Sequence, residues 1–158
     1  MADIMDAEAR SRLMARIRGK DTKPEKAVRR LLHGMGYRFR LHAKGLPGRP
    51  DIVLPRHRAV VFVHGCFWHR HAECKPRNLP ATNTDYWREK FRANAERDER
   101  KTRELAALGW RVHVVWECQL REPDTLAARL LAFLRGEKPA TPRRRSKPVE
   151  RKKPGRRR

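Results

Sequence analysis

The chain has 158 residues, which is room for one domain of ordinary size with one hydrophobic core. Its 40 Lys and Arg residues face 18 Asp and Glu residues, a formal net charge of +22, so a polyanion such as nucleic acid is the expected partner. The longest apolar run, residues 59–63, is far shorter than the roughly 20 residues that cross a bilayer, and no signal-peptide pattern precedes it. These features argue against a membrane protein and predict a cytoplasmic one.

The composition changes near residue 137. Residues 137–158 carry 11 Lys and Arg residues and two Glu residues, are rich in proline and contain almost no large apolar side chains. Such a segment cannot bury enough apolar surface to fold, so we predict a disordered basic tail. Removing the tail leaves a charge of about +13 on residues 1–136, and we therefore predict one basic folded domain over that range.

Two amphipathic helices are predicted first. Asp6 can cap a short helix that runs to about Arg18. The segment Thr22-Lys-Pro-Glu25 has the pattern of a capping box and opens a second helix, which Gly36 ends. The apolar face of this second helix comprises Val28, Leu31, Leu32 and Met35.

Three strands are predicted to follow. Tyr37, Phe39 and Leu41 alternate with charged residues, a pattern typical of a strand with one solvated face. Residues 51–54 and 59–63 are apolar runs separated by four residues, which predicts a hairpin.

The remaining elements alternate between helix and strand. A long polar helix is predicted from Thr84 to Gly109, a buried strand over residues 112–116, and a last helix that Asp124 caps and Gly136 ends. The resulting order, ααβββαβα, favours an α/β fold with a mixed central sheet flanked by helices. Reactive residues are then expected at strand ends and in the adjoining loops.

Three cysteines and one histidine form a candidate metal site. Cys66, His71 and Cys74 lie close together in sequence, and Cys118 follows the strand that ends at Trp116. Thiolates with one imidazole suit tetrahedral zinc, and a Cys3His set with no vacant position is of the structural kind. The spacing is not that of a standard zinc finger, so three buried free cysteines remain the alternative.

Polar residues at both ends of the predicted hairpin suggest a nuclease site. Asp51 begins the first strand, and His64 and His69 follow the second. Phosphodiester cleavage needs a carboxylate to hold a divalent metal and a base to activate water. From the residues alone, a carboxylate that caps a turn is the favoured interpretation of Asp51, and the histidines could be further zinc ligands. Restriction nucleases generally carry an acid-x-Lys motif one strand after their Pro-Asp, but Phe62-Val-His64 stands there, which predicts a site with more imidazole.

Five separated segments carry a more specific pattern. They are Asp21-Thr-Lys-Pro-Glu25, Gly48-Arg-Pro-Asp51, His64-Gly-Cys-Phe-Trp-His69, Asn83-Thr-Asp-Tyr-Trp-Arg-Glu-Lys90, and Gly109-Trp-Arg-Val112 with Val115-Trp-Glu-Cys118. In this order they resemble the signature segments of the very-short-patch repair (Vsr) DNA mismatch endonucleases, over about residues 8–135. The resemblance implies a fold related to restriction endonucleases, and a nick 5′ to the thymine of a T·G mismatch, the lesion left when 5-methylcytosine deaminates.

The resemblance also implies roles for particular residues. Asp51 would be the main magnesium ligand, His69 would activate water, and His64 and Glu25 would complete the catalytic cluster. Glu25 is also the fourth residue of the predicted capping box, and both roles stay open. Many such enzymes have Thr where this chain has Val63. If this position contributes its backbone carbonyl to the metal, as the resemblance implies, the difference matters little; if a hydroxyl acts there, activity is in doubt.

Aromatic residues near the predicted site are candidates for reading the mismatch. The resemblance implies that Phe67, Trp68 and Trp87 insert into a base step, with Met14 inserting from the other groove; an aromatic wedge enters most easily where a mispair weakens stacking. Core packing is the alternative for each aromatic taken singly. Trp116 and Trp110 are predicted to lie in the core.

The implied partner is double-stranded DNA carrying a T·G mismatch, bound by a monomer. A functional link to a cytosine-5 methyltransferase and to mismatch-repair factors would go with that role. Two other functions compete with it: a zinc-stabilised DNA-binding protein without catalysis, and a restriction nuclease that cuts both strands of matched duplex.

Overall fold

The computed structural model describes residues 7–16, 19–74 and 81–136. The predicted basic tail, residues 137–158, lies outside the described residues, as does Asp6, the predicted first cap. Within the described residues no helix combines the length and the apolar character needed to cross a membrane.

The chain forms four helices and four strands in the predicted order. They are α1 (Ala7–Arg16), α2 (Lys23–Gly34), β1 (Arg40–Leu41), β2 (Ile52–Leu54), β3 (Ala59–His64), α3 (Thr84–Ala107), β4 (Arg111–Trp116) and α4 (Pro123–Leu134). Two 3₁₀ turns, Pro55–His57 and Glu117–Arg121, follow β2 and β4. The order ααβββαβα is confirmed.

The strands form one mixed sheet in the order β1-β2-β3-β4. The β1-β2 and β2-β3 pairs are antiparallel, so the predicted hairpin is confirmed, whereas β3 and β4 run parallel. A parallel pair needs a crossover connection, and α3 lies within it. The carboxyl ends of β3 and β4 therefore lie side by side at one edge of the sheet.

Alternating residues of the buried strands divide the core into two layers. Val61 of β3 faces α2 and α4, and its neighbours Val60 and Phe62 face α3. The first layer also contains Val28, Leu32, Ile52, Leu54, Ala59, Val115, Leu126, Leu130 and Leu134, and the second contains Val53 and Leu105. Because side chains alternate across a strand, His64 continues the series of Val60 and Phe62 toward α3. Helices thus flank both faces of the sheet, as predicted.

Local details differ from the sequence predictions. The first strand has two residues rather than five, because Tyr37 and Phe39 pack against the core without pairing and only Arg40 and Leu41 pair with β2. Asp124 does not cap α4; it lies in the first turn, where its charge favours the helix dipole, and Glu122 occupies the cap position without a side-chain hydrogen bond. Gly36 and Gly136 do follow their helices with positive φ angles of 87° and 74°.

Candidate active site and metal centre

The parallel pair of β3 and β4 brings the cysteines together. His64 is in register with Trp116, the last residue of each strand, and the chain then continues to Cys66 and Cys118, each two residues further on. Adjacent parallel strands that end in register place the residues after them at the same edge of the sheet. The two cysteines are therefore close together in the structure, although more than 50 residues separate them in sequence.

All four predicted zinc ligands converge. The Nδ1 atom of His71 lies 3.4 Å from the sulfur of Cys74, 3.4 Å from that of Cys118 and 3.9 Å from that of Cys66. All four donor atoms lie within 4.8 Å of one another, so the cluster could hold a metal ion. Burial and the neighbouring thiols raise the pKa of Cys118 to about 12, because several thiolates cannot ionise together without a compensating cation. The donor chemistry therefore fits a bound metal.

Trp116 lies between this cluster and the histidines of the hairpin. Its ring stacks on His71 with centroids 4.3 Å apart and meets His64 edge to face at 5.3 Å. Trp116 packs on these histidine rings rather than in either core layer, so its predicted place in the core is wrong, whereas Trp110, which is equally half-buried, packs against the core layer under α3. The paired register of Trp116 and His64 explains the contact.

Asp51 is held at the start of β2 by the neighbouring strand. Its Oδ2 atom accepts a hydrogen bond of 2.8 Å from the backbone N–H of Val63. Burial raises the pKa of Asp51 to about 6, and the nearby Glu25 carboxylate acts in the same direction, although the Val63 hydrogen bond opposes it. An ionised carboxylate in this position gains by contact with a cation.

His69 has a partner that the sequence analysis missed. Its Nδ1 atom lies 2.5 Å from Oδ2 of Asp98, in the middle of α3. Burial opposes ionisation of Asp98, but the hydrogen bond from His69 and nearby positive charges outweigh it, and the pKa of Asp98 is lowered. A carboxylate that accepts the proton of Nδ1 leaves Nε2 as the basic nitrogen of the imidazole. Asp98 does not stand out in the sequence, because α3 carries many acidic and basic residues along its whole length.

His64 and His69 form a stacked pair. Their rings are 3.8 Å apart and inclined by only 8°. Burial lowers the pKa of His64 to about 4, and the charge of His69 adds to the effect. A neutral His64 places no second positive charge beside the ring of His69.

Glu25 is buried at the start of α2 and is held by local contacts. Its Oε2 atom accepts hydrogen bonds from the backbone N–H of Asp21, at 2.8 Å, and from Arg29, at 3.2 Å. The Thr22 hydroxyl accepts from Glu25 N–H at 3.4 Å, so the capping box forms with Asp21 in place of the cap residue's own N–H. Hydrogen bonds with Arg29 and His42 lower the pKa of Asp21 to about 2. Glu25 also lines the cleft that contains Asp51, and its catalytic role stays a prediction.

Two clefts meet at the predicted active site. One, of about 620 Å³, is lined by Asp51, His64, His69 and Asp98. The other, of about 860 Å³, is lined by Met14, Trp68 and Trp87. Residues common to both linings are Gly19, Glu25, Val63 and His69.

The aromatic candidates pack as one cluster. Phe67 meets Trp68, Trp87 and Phe91 edge to face, with centroids 5.2, 6.0 and 5.4 Å apart. Trp68 is half-buried, whereas Trp87 is 6% exposed and supports it from α3. The structure thus brings the catalytic candidates to one cleft and Trp68, Trp87 and Met14 to the adjoining one, whereas Phe67 packs against the two tryptophans and lines neither of these clefts.

Comparison with known proteins shows the family to which the chain belongs. A family model described as DNA mismatch endonuclease Vsr matches residues 2–75. The DNA mismatch endonuclease Vsr of Escherichia coli (strain K12) is 46% identical over 142 residues, which cover 87% of this chain and 90% of that protein. The chain belongs to the Vsr family of DNA mismatch endonucleases.

Other members of the Vsr family match at similar levels. The type II nicking enzyme V.XorIIP of Xanthomonas oryzae pv. oryzae is 57% identical over 134 residues, covering 85% of this chain and 98% of the relative. V.NmeAIP, a type II nicking enzyme of Neisseria meningitidis, is 44% identical over 140 residues, 89% of this chain and 99% of the relative. The similarity to these relatives therefore covers most of the chain.

A solved structure with a related fold is the catalytic domain of the homing endonuclease I-Bth0305I. It superposes with a TM-score of 0.50 at 21% sequence identity, over 73% of this Vsr-family chain and 97% of that domain. At that identity the similarity concerns the fold, which is confirmed as a nuclease fold with a mixed central sheet.

Proposed function

We propose that this Vsr-family endonuclease nicks one DNA strand 5′ to the thymine of a T·G mismatch, the product of 5-methylcytosine deamination. The observation that carries the proposal is the meeting of two clefts: Asp51 and the His69–Asp98 pair line one, and Trp68 and Trp87 of the aromatic cluster line the other. A scissile phosphate in the first cleft would place a neighbouring base step beside the second. Chemistry and mismatch recognition would then act on the same short stretch of duplex.

The proposed catalytic metal is Mg²⁺ at Asp51. The buried carboxylate and the backbone carbonyl of Val63 are hard oxygen donors of the kind that Mg²⁺ prefers. Bound there, Mg²⁺ would polarise the phosphate and stabilise the charge that develops on it. Glu25, at the same cleft, would contribute through its negative charge.

The proposed base is Nε2 of His69. Asp98 holds the imidazole through Nδ1, and the neutral His64 stacked on it fixes the plane of the ring. His69 would take a proton from the attacking water, whose oxygen forms the new bond to phosphorus. The bond from phosphorus to the 3′ oxygen breaks, and that oxygen takes a proton from solvent water.

The proposed structural metal is Zn²⁺ at Cys66, His71, Cys74 and Cys118. A sulfur and a nitrogen bound to one tetrahedral zinc are about 3.5 Å apart, close to the separations of 3.4 to 3.9 Å between His71 Nδ1 and the three sulfurs. The Glu73 carboxylate lies 3.9 Å from His71 Nε2 and can orient the imidazole from outside. The ion would join the loop after β3 to the end of β4.

Mismatch selectivity would come from the aromatic cluster and Met14. Of the three candidate aromatics, Trp68 lines the second cleft and is only half-buried, with Phe67 and Trp87 packed against it. Inserting such a wedge costs less at a mispair, where stacking is already weaker. The basic residues of the domain, and residues 137–158 beyond it, would hold the phosphate backbone without reading sequence.

The decisive experiment incubates purified protein with Mg²⁺ and either a T·G duplex or the matched T·A duplex. We expect one nick, 5′ to the mismatched thymine, and no cut in the matched duplex. A matched C·G duplex is the second control. Cleavage of both strands of matched DNA would instead identify a restriction nuclease, and binding without any cleavage would identify a DNA-binding protein.

A further inference from the structure

The catalytic cleft contains a cation that the proposed chemistry has not used. Lys101 lies on α3, three residues after Asp98, so both side chains project from the same face of the helix. It lines the cleft together with Asp51, His64 and His69. The same face of α3 therefore delivers both the carboxylate that orients His69 and a lysine.

The stem of Lys101 is held against the backbone of the turn before Asp51. A Cβ atom added to Gly48 would lie 2.6 Å from Cδ and 2.7 Å from Cγ of Lys101. Gly48 also has a φ of +74°, which a residue with a side chain rarely adopts. Glycine thus allows the lysine stem to cross the turn at close range, and the half-buried side chain is confined beside the Asp51 turn.

The positive charge of Lys101 influences the catalytic groups, although Lys101 forms no ion pair with any of them. It is among the causes that lower the pKa of His64 and of Asp98. Among the residues that the structure describes, Lys101 forms no ion pair with a carboxylate. Its ammonium group is therefore available to an anion that enters the cleft.

We propose that Lys101 is a catalytic residue that contacts the reacting phosphate and stabilises its negative charge. The proposal rests on the proposed cleavage function. At the sequence position where an acid-x-Lys motif would supply a lysine from the strand, this chain has His64; a helix supplies the cation instead. Lys101 would act through its charge and transfer no proton, since His69 takes the proton of water.

The test is single-turnover cleavage of the T·G duplex with Mg²⁺, at saturating enzyme and across pH 6 to 9. Lys101→Met should lower the rate plateau about 100- to 1,000-fold, the range seen when one charge-stabilising donor is removed. Its dissociation constant for the duplex should change by less than about threefold, because many other phosphate contacts remain. Lys101→Gln should behave like Lys101→Met, and Lys101→Arg, which keeps the charge, should retain most of the rate.

The matched control is Arg103→Met, which removes one positive charge from an exposed position on the same helix. It should leave the rate plateau within about twofold of the parent. The proposal is overturned if Lys101→Met keeps the parental plateau, if it weakens only binding, or if it only shifts the pH profile. It is also overturned if Lys101→Arg is as slow as Lys101→Met. A parent protein that nicks no duplex would contradict the proposed function itself, which is a distinct result.

Discussion

The thiol cluster and the catalytic cleft lie on either side of Trp116 and are built in opposite ways. In the cluster, three sulfurs turn toward a single histidine nitrogen, at distances of 3.4 to 3.9 Å. In the cleft, Asp51 pairs with a backbone N–H and His69 with Asp98, and the remaining atoms of these side chains border an open cavity of about 620 Å³. A closed donor set is suited to holding structure, whereas an open set can admit a substrate.

This contrast predicts that changes in the two regions can be separated by measurement. Substitutions in the cleft should reduce the rate of cleavage in a protein that stays folded. Substitutions in the cluster should reduce folding stability before they alter a chemical step. The four predictions that follow run from the largest expected effect to the smallest.

His69→Ala and Asp98→Asn are expected to give the largest change. Loss of the base should slow single-turnover nicking by about 10³-fold, and Asp98→Asn should slow it by at least 10²-fold because the amide no longer fixes the Nδ1–H tautomer. Asp85→Asn, an exposed position on the same helix, is the control and should nick like the parent. If Asp98→Asn also keeps the parental rate, the His69–Asp98 contact has no part in catalysis.

Cys118→Ser tests the closed donor set of the thiol cluster. Loss of one ligand should lower the free energy of unfolding by roughly 3 kcal/mol, because metal binding at such sites is coupled to folding. Urea denaturation measures the loss, and metal analysis of the parent should find about one zinc per chain. An unchanged unfolding midpoint, or a parent without zinc after purification under reducing conditions, would contradict a structural metal here.

Asp51→Asn should alter stability in a pH-dependent way. Burial raises the pKa of Asp51 from 3.8 to about 6 in the folded protein, so the fold favours the neutral acid. Ionisation of Asp51 therefore lowers the free energy of unfolding: the loss is absent below pH 4, grows between pH 4 and 6, and is constant above that range. Without added Mg²⁺, Asp51→Asn should therefore be more stable than the parent by up to about 2 kcal/mol at pH 7.5, and equal to it near pH 4. A gain of the same size at both pH values would show that burial of the charge is not its cause.

Trp68→Ala should have the smallest effect of the four. It should reduce the preference for a T·G over a T·A duplex by about tenfold, corresponding to the loss of one stacking contact of roughly 1.4 kcal/mol. Trp87→Ala should reduce that preference as well, and should also lower stability because Trp87 is buried in the cluster. Competition binding with the two duplexes measures the preference. If the parent and Trp68→Ala have the same ratio of affinities for the T·G and T·A duplexes, Trp68 does not read the mismatch.

Some of this arrangement follows from sequence patterns and some does not. The hairpin and the parallel strand after α3 were predictable from apolar runs, and they explain why Cys66 and Cys118 meet. Asp98 and Lys101 were not predictable, because α3 carries charged residues on every exposed turn and its rotation over the sheet is set by Trp87, Phe91 and Leu105. The packing of α3 against the sheet determines which of those charged residues line the cleft.

The two-residue length of β1 shows a related limit. Alternating residues from Tyr37 to Leu41 predicted a longer strand, but Tyr37 and Phe39 pack against the core from outside the sheet. Apolar alternation reports burial, and burial was achieved here without strand pairing. The sequence likewise does not reveal that Glu25 both makes contacts at the start of α2 and lines the cleft.

The measurement that tests the central claim most directly is nicking and binding of a T·G duplex by Asp51→Asn, side by side with the parent. Asp51 is assigned to holding Mg²⁺, while affinity is assigned to basic residues and the aromatic cluster. We expect nicking to fall by at least about 10³-fold while the dissociation constant for the duplex stays within about threefold of the parent's. A folded Asp51→Asn protein that nicks at nearly the parental rate would contradict the proposed metal site and the catalytic cleft built around it.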